Sequence, residues 1–296
     1  MVFLPNVLLE VISDYAGENE LLYWIDPEKI DWNTLSRNQE AIHLLEKNQE
    51  KINWKLLSDN REAIHLLEKN QEKIDWSRLS MNTAAIHLLE SEAHRAQREK
   101  NQEKIDWDLL SLNPAAIHLL EKNKHRINWN ELSKNPAAIH LLEKNPDKIN
   151  WDYLPMNPAA IHLLEKNKHR INWGYLSLNP AAIHLLEKNQ EKISWYWLSE
   201  NPAATHLLES EAHRVQHEKN PEKINWKYLS YNPAAIHLLE NNQDKIDWYW
   251  LSANPASIHL FEMNQEEIYW EYFSMIPSIF KSNKNEIYKS LYKIQN

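Results

Sequence analysis

Apolar and polar positions along this chain repeat with a period of 22 residues. In the copy running from Ile127 to Lys148, Ile127, Trp129, Leu132, Ala137, Ala138, Ile139, Leu141 and Leu142 are apolar, and Asn, Glu, Lys, Ser and His fill most of the rest. The Trp of this copy recurs at 32, 54, 76, 107, 129, 151, 173, 195, 226, 248 and 270, and the His at 43, 65, 87, 118, 140, 162, 184, 206, 237 and 259; every step is 22 residues except two of 31. A fixed short period of this kind marks a stacked array in which each unit touches only its neighbours.

Within a unit the pattern predicts two short helices. Asn135-Pro136 opens one, because Asn caps helix N-termini well and Pro suits the first helical position. Ala138, Ile139 and Leu142 then share a face that Ala137 and Leu141 widen, and Asn145 stands where a left-handed C-terminal residue is wanted. The other helix opens at the Trp, preceded in every complete copy by Asn, Asp or Ser as N-cap; Ile127 before the cap and Leu132 after it have the spacing of a hydrophobic staple. The competing leucine-rich repeat needs Leu-x-Leu alternation on a strand, and Asn130 stands where its first Leu should be. The fold class expected is all-α, an elongated α-solenoid of about ten 22-residue helix-pair repeats with capping helices at both ends. Residues 1–30 are the expected N-terminal capping region, 31–275 the repeats and 276–296 the C-terminal cap.

Two nine-residue insertions, 91–99 and 210–218, contain neither Gly nor Pro and follow directly on Leu-Leu-Glu, so each is expected to lengthen its helix by about two and a half turns. If five units made one turn of the coil, the two spurs would project on the same side. His94, Arg95, Arg98, His213, Arg214 and His217 on the spurs, with His118, His140, His162 and His184 in the repeats, form the candidate partner surface. His213 and His217 have i, i+4 spacing, but the sister insertion carries His94 and Arg98, so a metal pair is not expected. One His per unit does not make a metal site either, and no metal or other cofactor is expected. If the His rings are buried and neutral, mild acid should loosen the array. The Trp row reads as core, since no basic stripe accompanies it as a nucleic-acid surface would require.

Net charge is −9, Cys is absent and only two Gly occur among 296 residues. With no long apolar run and no basic leader ahead of one, the expectation is an intracellular protein that is neither secreted nor membrane-bound. No phosphate loop, nucleophile elbow or paired-carboxylate motif occurs, so no catalytic residue and no enzymatic activity are expected. The units Leu-Ser-x-Asn-Pro-Ala-Ala-Ile-His-Leu-Leu-Glu-Lys-Asn and Asp-Lys-Ile-Asn-Trp, over residues 24–275, resemble the tandem repeats of proteins from amoeba-infecting giant DNA viruses. The resemblance implies a viral setting, in the host cytoplasm or the virion, and no established activity. The function expected is a repeat scaffold binding protein partners; the alternatives are a virion or assembly component and, because Leu4-Pro5 before an apolar helix resembles an F-box opening, a ubiquitin-ligase adaptor.

Overall fold

The computed structural model describes residues 19–99, 104–218 and 224–281. Each unit is two α-helices of four to six residues in most copies, separated by 3₁₀ turns. In the unit of Trp129, the Asn128 side chain accepts from the N–H groups of Asn130 and Glu131 and starts a helix over Trp129–Lys134. Asn135 then caps a 3₁₀ turn at Pro136–Ala138, and an α-helix follows over Ile139–Lys144. The expected single helix from Asn-Pro is therefore a 3₁₀ turn followed by an α-helix. The cause is local: the Asn135 Oδ1 takes the Ala137 N–H, and its carbonyl takes the Ala138 N–H at 3.1 Å, an i→i+3 closure. Asn145 is not left-handed, with φ −133° and ψ 62°. Its side-chain amide instead donates to the Leu141 carbonyl at 2.8 Å, satisfying the helix end directly.

The core is one row per apolar position. Leu132, Ala138, Leu141 and Leu142 are buried in this unit, with Ile127 at the edge, and the same positions are buried in copy after copy. Each fully buried Leu contributes about 1.5–3 kcal/mol.

Two buried polar rows tie the units together. The Ser36 hydroxyl donates to its own Trp32 carbonyl and accepts the Asn53 N–H of the next unit at 2.9 Å. The Asn60 amide donates back to the Ser36 and Asn38 carbonyls of the preceding unit, both at 3.1 Å, while its oxygen caps its own turn. Ser36, Asn38, Ser58 and Asn60 are all but fully buried and all use their hydrogen-bonding groups. The pattern recurs in Ser111 with Asn135 and in Ser177 with Asn201. Pro155 stands in the Ser row and has no hydroxyl to contribute, yet its carbonyl still accepts from Asn179 at 2.8 Å.

The array is not an open coil. The first unit bonds to the last as each unit bonds to its neighbour: the Asp31 N–H donates to the Ser274 hydroxyl at 3.0 Å, and the Asn38 amide to the Ser274 and Ile276 carbonyls at 3.1 and 2.9 Å. Eleven Trp units therefore form a closed ring. The eleventh lacks its own Ile-His-Leu-Leu helix within the described residues, and the N-terminal segment fills the place. Strand β1 (Glu20–Leu21) pairs antiparallel with β2 (Phe280–Lys281), with Glu20 opposite Lys281. The Leu22 N–H reaches the Ile279 carbonyl at 3.0 Å, Trp24 packs on Phe273 and Ile25 is buried.

The all-α helix-pair reading stands, but the elongated outline is corrected to a ring. Stacking energy that an open end would leave unused is satisfied at the seam. Of the expected capping regions, 1–18 and 282–296 lie outside the described residues; the parts within them, 19–30 and 276–281, meet each other. The insertions do lengthen their helices, to Ile86–Glu99 and Thr205–Glu218. With eleven units per turn, spurs five units apart stand nearly opposite each other, not on one side.

Candidate functional site

The histidine row is a chain of inter-unit contacts. His118, His140, His162 and His184 place Nε2 2.6, 3.1, 2.9 and 3.3 Å from the carboxylates of Glu90, Glu121, Glu143 and Glu165 in the unit before. His65, His87, His206, His237 and His259 do the same with Glu46, Glu68, Glu187, Glu209 and Glu240. These rings are about half exposed, so the premise of buried neutral imidazoles does not hold. The partner is the Glu of the preceding unit, 19 residues back in most copies, not the Glu three residues on. Among the described residues no group of three or more His, Asp or Glu is placed to hold a metal ion. Of the spur residues His94, Arg95, Arg98, His213, Arg214 and His217, the backbone is helical and the side chains lie outside the described set.

The Trp row packs on the core with one face and in most copies carries a cation on the other. Lys51 lies 4.2 Å from the Trp32 ring centre, Lys73 4.3 Å from Trp54, and Arg170 4.1 Å from Trp151, each cation coming from the turn that ends the same unit. The basic turns at 122–126 and 166–170 thus place Arg126 and Arg170 over Trp107 and Trp151.

Two other rows also vary from unit to unit. Two residues after the Trp come Thr34, Leu56, Arg78, Leu109, Glu131, Tyr153, Tyr175, Trp197, Tyr228, Trp250 and Tyr272; five residues after it come Arg37, Asp59, Met81, Leu112, Lys134, Met156, Leu178, Glu200, Tyr231, Ala253 and Met275. Sequence reasoning passed over both rows because it weighed what the units share. The signal was present as an aromatic at the same register in six successive copies. Their rings form a ladder: Tyr153 to Tyr175 is 5.8 Å between centres, Tyr175 to Trp197 6.5 Å, Trp197 to Tyr228 5.8 Å and Tyr228 to Trp250 6.1 Å. Tyr196 and Tyr249 add edge-on rings, and their hydroxyls bond those of Tyr228 and Tyr272. The shared proton raises the Tyr272 phenol to about 12, with burial and the neighbouring Tyr249 and Glu271 charges adding to it.

The ladder opens into a hollow of about 480 Å³ spanning four consecutive units across the seam. Tyr231, Ala253, Met275 and Arg37 supply one row of its lining, Trp250 and Tyr272 another, and Pro255, Ile276 and Pro277 complete it. Arg37 also reaches Asp59 at 3.2 Å, and Asp59 is shared with Arg78 at 2.7 Å, so this end of the hollow carries one more positive charge than negative. Apolar walls with one cationic group can orient an amphipathic organic molecule.

The family described as NosD, periplasmic copper-binding protein, has a model that matches residues 10–169. The match covers more than half of the chain, which belongs to this family. No curated protein and no solved structure matches the chain. The family match overturns the expected protein-binding scaffold of viral origin, together with its virion-component and F-box alternatives. It likewise corrects the expected intracellular location, the family being described as periplasmic.

Proposed function

We propose that this member of the NosD family is a non-enzymatic binding protein whose ligand is a small amphipathic organic molecule held in the hollow at the seam. The observation that carries the reading is the cluster of Tyr231, Trp250, Tyr272 and Met275 around a space of about 480 Å³ with Arg37 at its edge. Repeating units give repeating surroundings, and here four successive units line one shared space with different residues. Nothing in it pairs a nucleophile with a base, so binding and not turnover is the chemistry it supports.

Copper, carried by the family's description, does not fit the described side chains. Copper sites draw on converging imidazole, thiolate or thioether ligands. Here nine imidazoles of the row each meet a single carboxylate, Cys is absent, and no three His, Asp or Glu side chains converge among the described residues. The binding reading therefore assigns no part to the metal.

The test uses 1-anilinonaphthalene-8-sulfonate, an aromatic anion matched to the Arg37 end. One saturable site per chain is expected, and Ala253→Trp, which fills the hollow, should abolish it. Absence of saturable binding, or equal binding by Ala253→Trp, would contradict the proposal.

A further inference from the structure

The two variable rows place the residue five after one Trp beside the residue two after the same Trp and the residue two after the next. Unit five shows the geometry: the Lys134 ammonium lies 2.6 Å from the Glu131 carboxylate and 4.7 Å from the centre of the Tyr153 ring. Unit two shows it with charges reversed, Asp59 meeting Arg78 of the next unit at 2.7 Å and its row neighbour Arg37 at 3.2 Å. These rows hold three carboxylates, Asp59, Glu131 and Glu200. The first two carry their own cations. No hydrogen bond or ion pair of the Glu200 carboxyl occurs among the described residues.

Glu200 is half-buried and stands where Lys134 stands in its unit. Trp197 takes the place of Glu131, Tyr228 that of Tyr153, and Tyr231 is the neighbour in its own row. The Trp197 and Tyr228 rings are 5.8 Å apart, and Tyr196 braces both edge-on at 4.9 and 4.7 Å, its hydroxyl 2.8 Å from that of Tyr228. Burial raises the Glu200 carboxyl above its ordinary value, and its charge helps raise the Tyr228 phenol, mainly lifted by the Tyr196 hydrogen bond. The nearby Lys227 ammonium is directed at another ring, 5.0 Å from the centre of Trp250.

We infer that Glu200, Trp197, Tyr228 and Tyr231 form a binding site for a quaternary ammonium group, with the ligand's cation taking the place that Lys134 fills in unit five. Aromatic faces attract cations through the ring quadrupole, and a methylated ammonium is held without hydrogen bonds. A small inorganic cation would lose hydration that rings cannot replace. One carboxylate balances one positive charge. The site adjoins the hollow through Tyr231 but does not rest on the hollow being occupied.

The test is calorimetric titration of the full chain with choline chloride, and in parallel with 3,3-dimethyl-1-butanol, its neutral isostere. Choline is expected to saturate one site per chain, with the isostere about tenfold or more weaker. Glu200→Gln should weaken choline at least about tenfold while preserving the thermal melt, and Glu200→Asp should recover part of the loss. Ala253→Trp should leave choline binding intact, so failure of the hollow and failure of this site are separable. Flotation with phosphatidylcholine vesicles, lost in Glu200→Gln, would make a lipid headgroup the source; no flotation would make it a free solute. No saturable choline binding, equal binding of the isostere, or an unchanged Glu200→Gln would each overturn the assignment.

Discussion

The Tyr23 hydroxyl donates to the Glu262 carboxylate, the role played by a histidine from the following unit elsewhere in the row. Its phenol is accordingly raised from its ordinary value, first by that hydrogen bond and then by the Glu262 charge. The residue that completes the eleventh unit thus comes from the other end of the chain, 239 positions away. Segments on both sides of the seam share one stack, and a ring joined this way has no exposed core face to protect.

The buried Ile25 measures this join. It is 4 % exposed and packs in the same core as Ile149 on the opposite side of the ring. Ile25→Ala and Ile149→Ala should each lower unfolding free energy by about 2–5 kcal/mol, in one cooperative denaturant transition. A frayed end would instead give almost no effect for Ile25→Ala.

The amide row makes a sharper demand. Asn157→Ala removes donors to the Ser133 and Asn135 carbonyls at 3.1 and 2.9 Å and the acceptor for the Ala159 N–H. Leaving such buried groups unmet costs about 1–3 kcal/mol each before relaxation, so a loss of roughly 3 kcal/mol is expected. Asn145→Ala, at a half-buried amide with one bond to Leu141, should cost about 1 kcal/mol. Urea unfolding of the two variants distinguishes them.

How much of this the sequence discloses depends on the reach of each interaction. Asn128 and Asn135 as N-caps are legible because their partners lie two or three residues on. The second half of Asn135's work, donation to the Ser111 carbonyl 24 residues back, requires knowing that adjacent units stack in register. Glu121 and His140 are likewise 19 residues apart, a separation every ordinary unit repeats but that no local rule flags. Ring closure was illegible for a different reason. Curvature is the sum of small packing angles, and Ser274 kept in place of a terminal cap is a weak hint on its own. The Tyr153-to-Tyr272 ladder and Glu200 were open to reading by comparing copies position by position, since they are where the copies disagree.

Alkali should find the Tyr249–Tyr272 pair. Tyr272 titrates at about 12 in the folded chain against 10.0 for the free phenol, so folding favours its neutral form. The stabilisation is fully present below pH 10 and is lost as pH rises toward 12. Tyr249→Phe removes the principal cause and should bring the Tyr272 phenolate absorbance down toward the ordinary range. An unchanged titration would show that the hydroxyl pair is not what raises it.

Copper provides a check on the His–Glu row. Since each pair offers one imidazole and one carboxylate, the purified chain after dialysis against a chelator should melt at the same temperature with or without added copper. A large stoichiometric upward shift would mean that ligands converge in a way these contacts do not provide.

Closure itself is tested most directly by distance. The chain has no Cys, so Glu20→Cys and Lys281→Cys introduce two unique sites for spin labels across the β1–β2 pair. Facing residues of an antiparallel pair lie about 5.5 Å apart at most, so a single label separation below about 20 Å is expected, unchanged by dilution. Eleven units stacked in an open coil at about 8–10 Å each would instead put the labels on the order of 90 Å apart. A broad distribution near that value would contradict the ring.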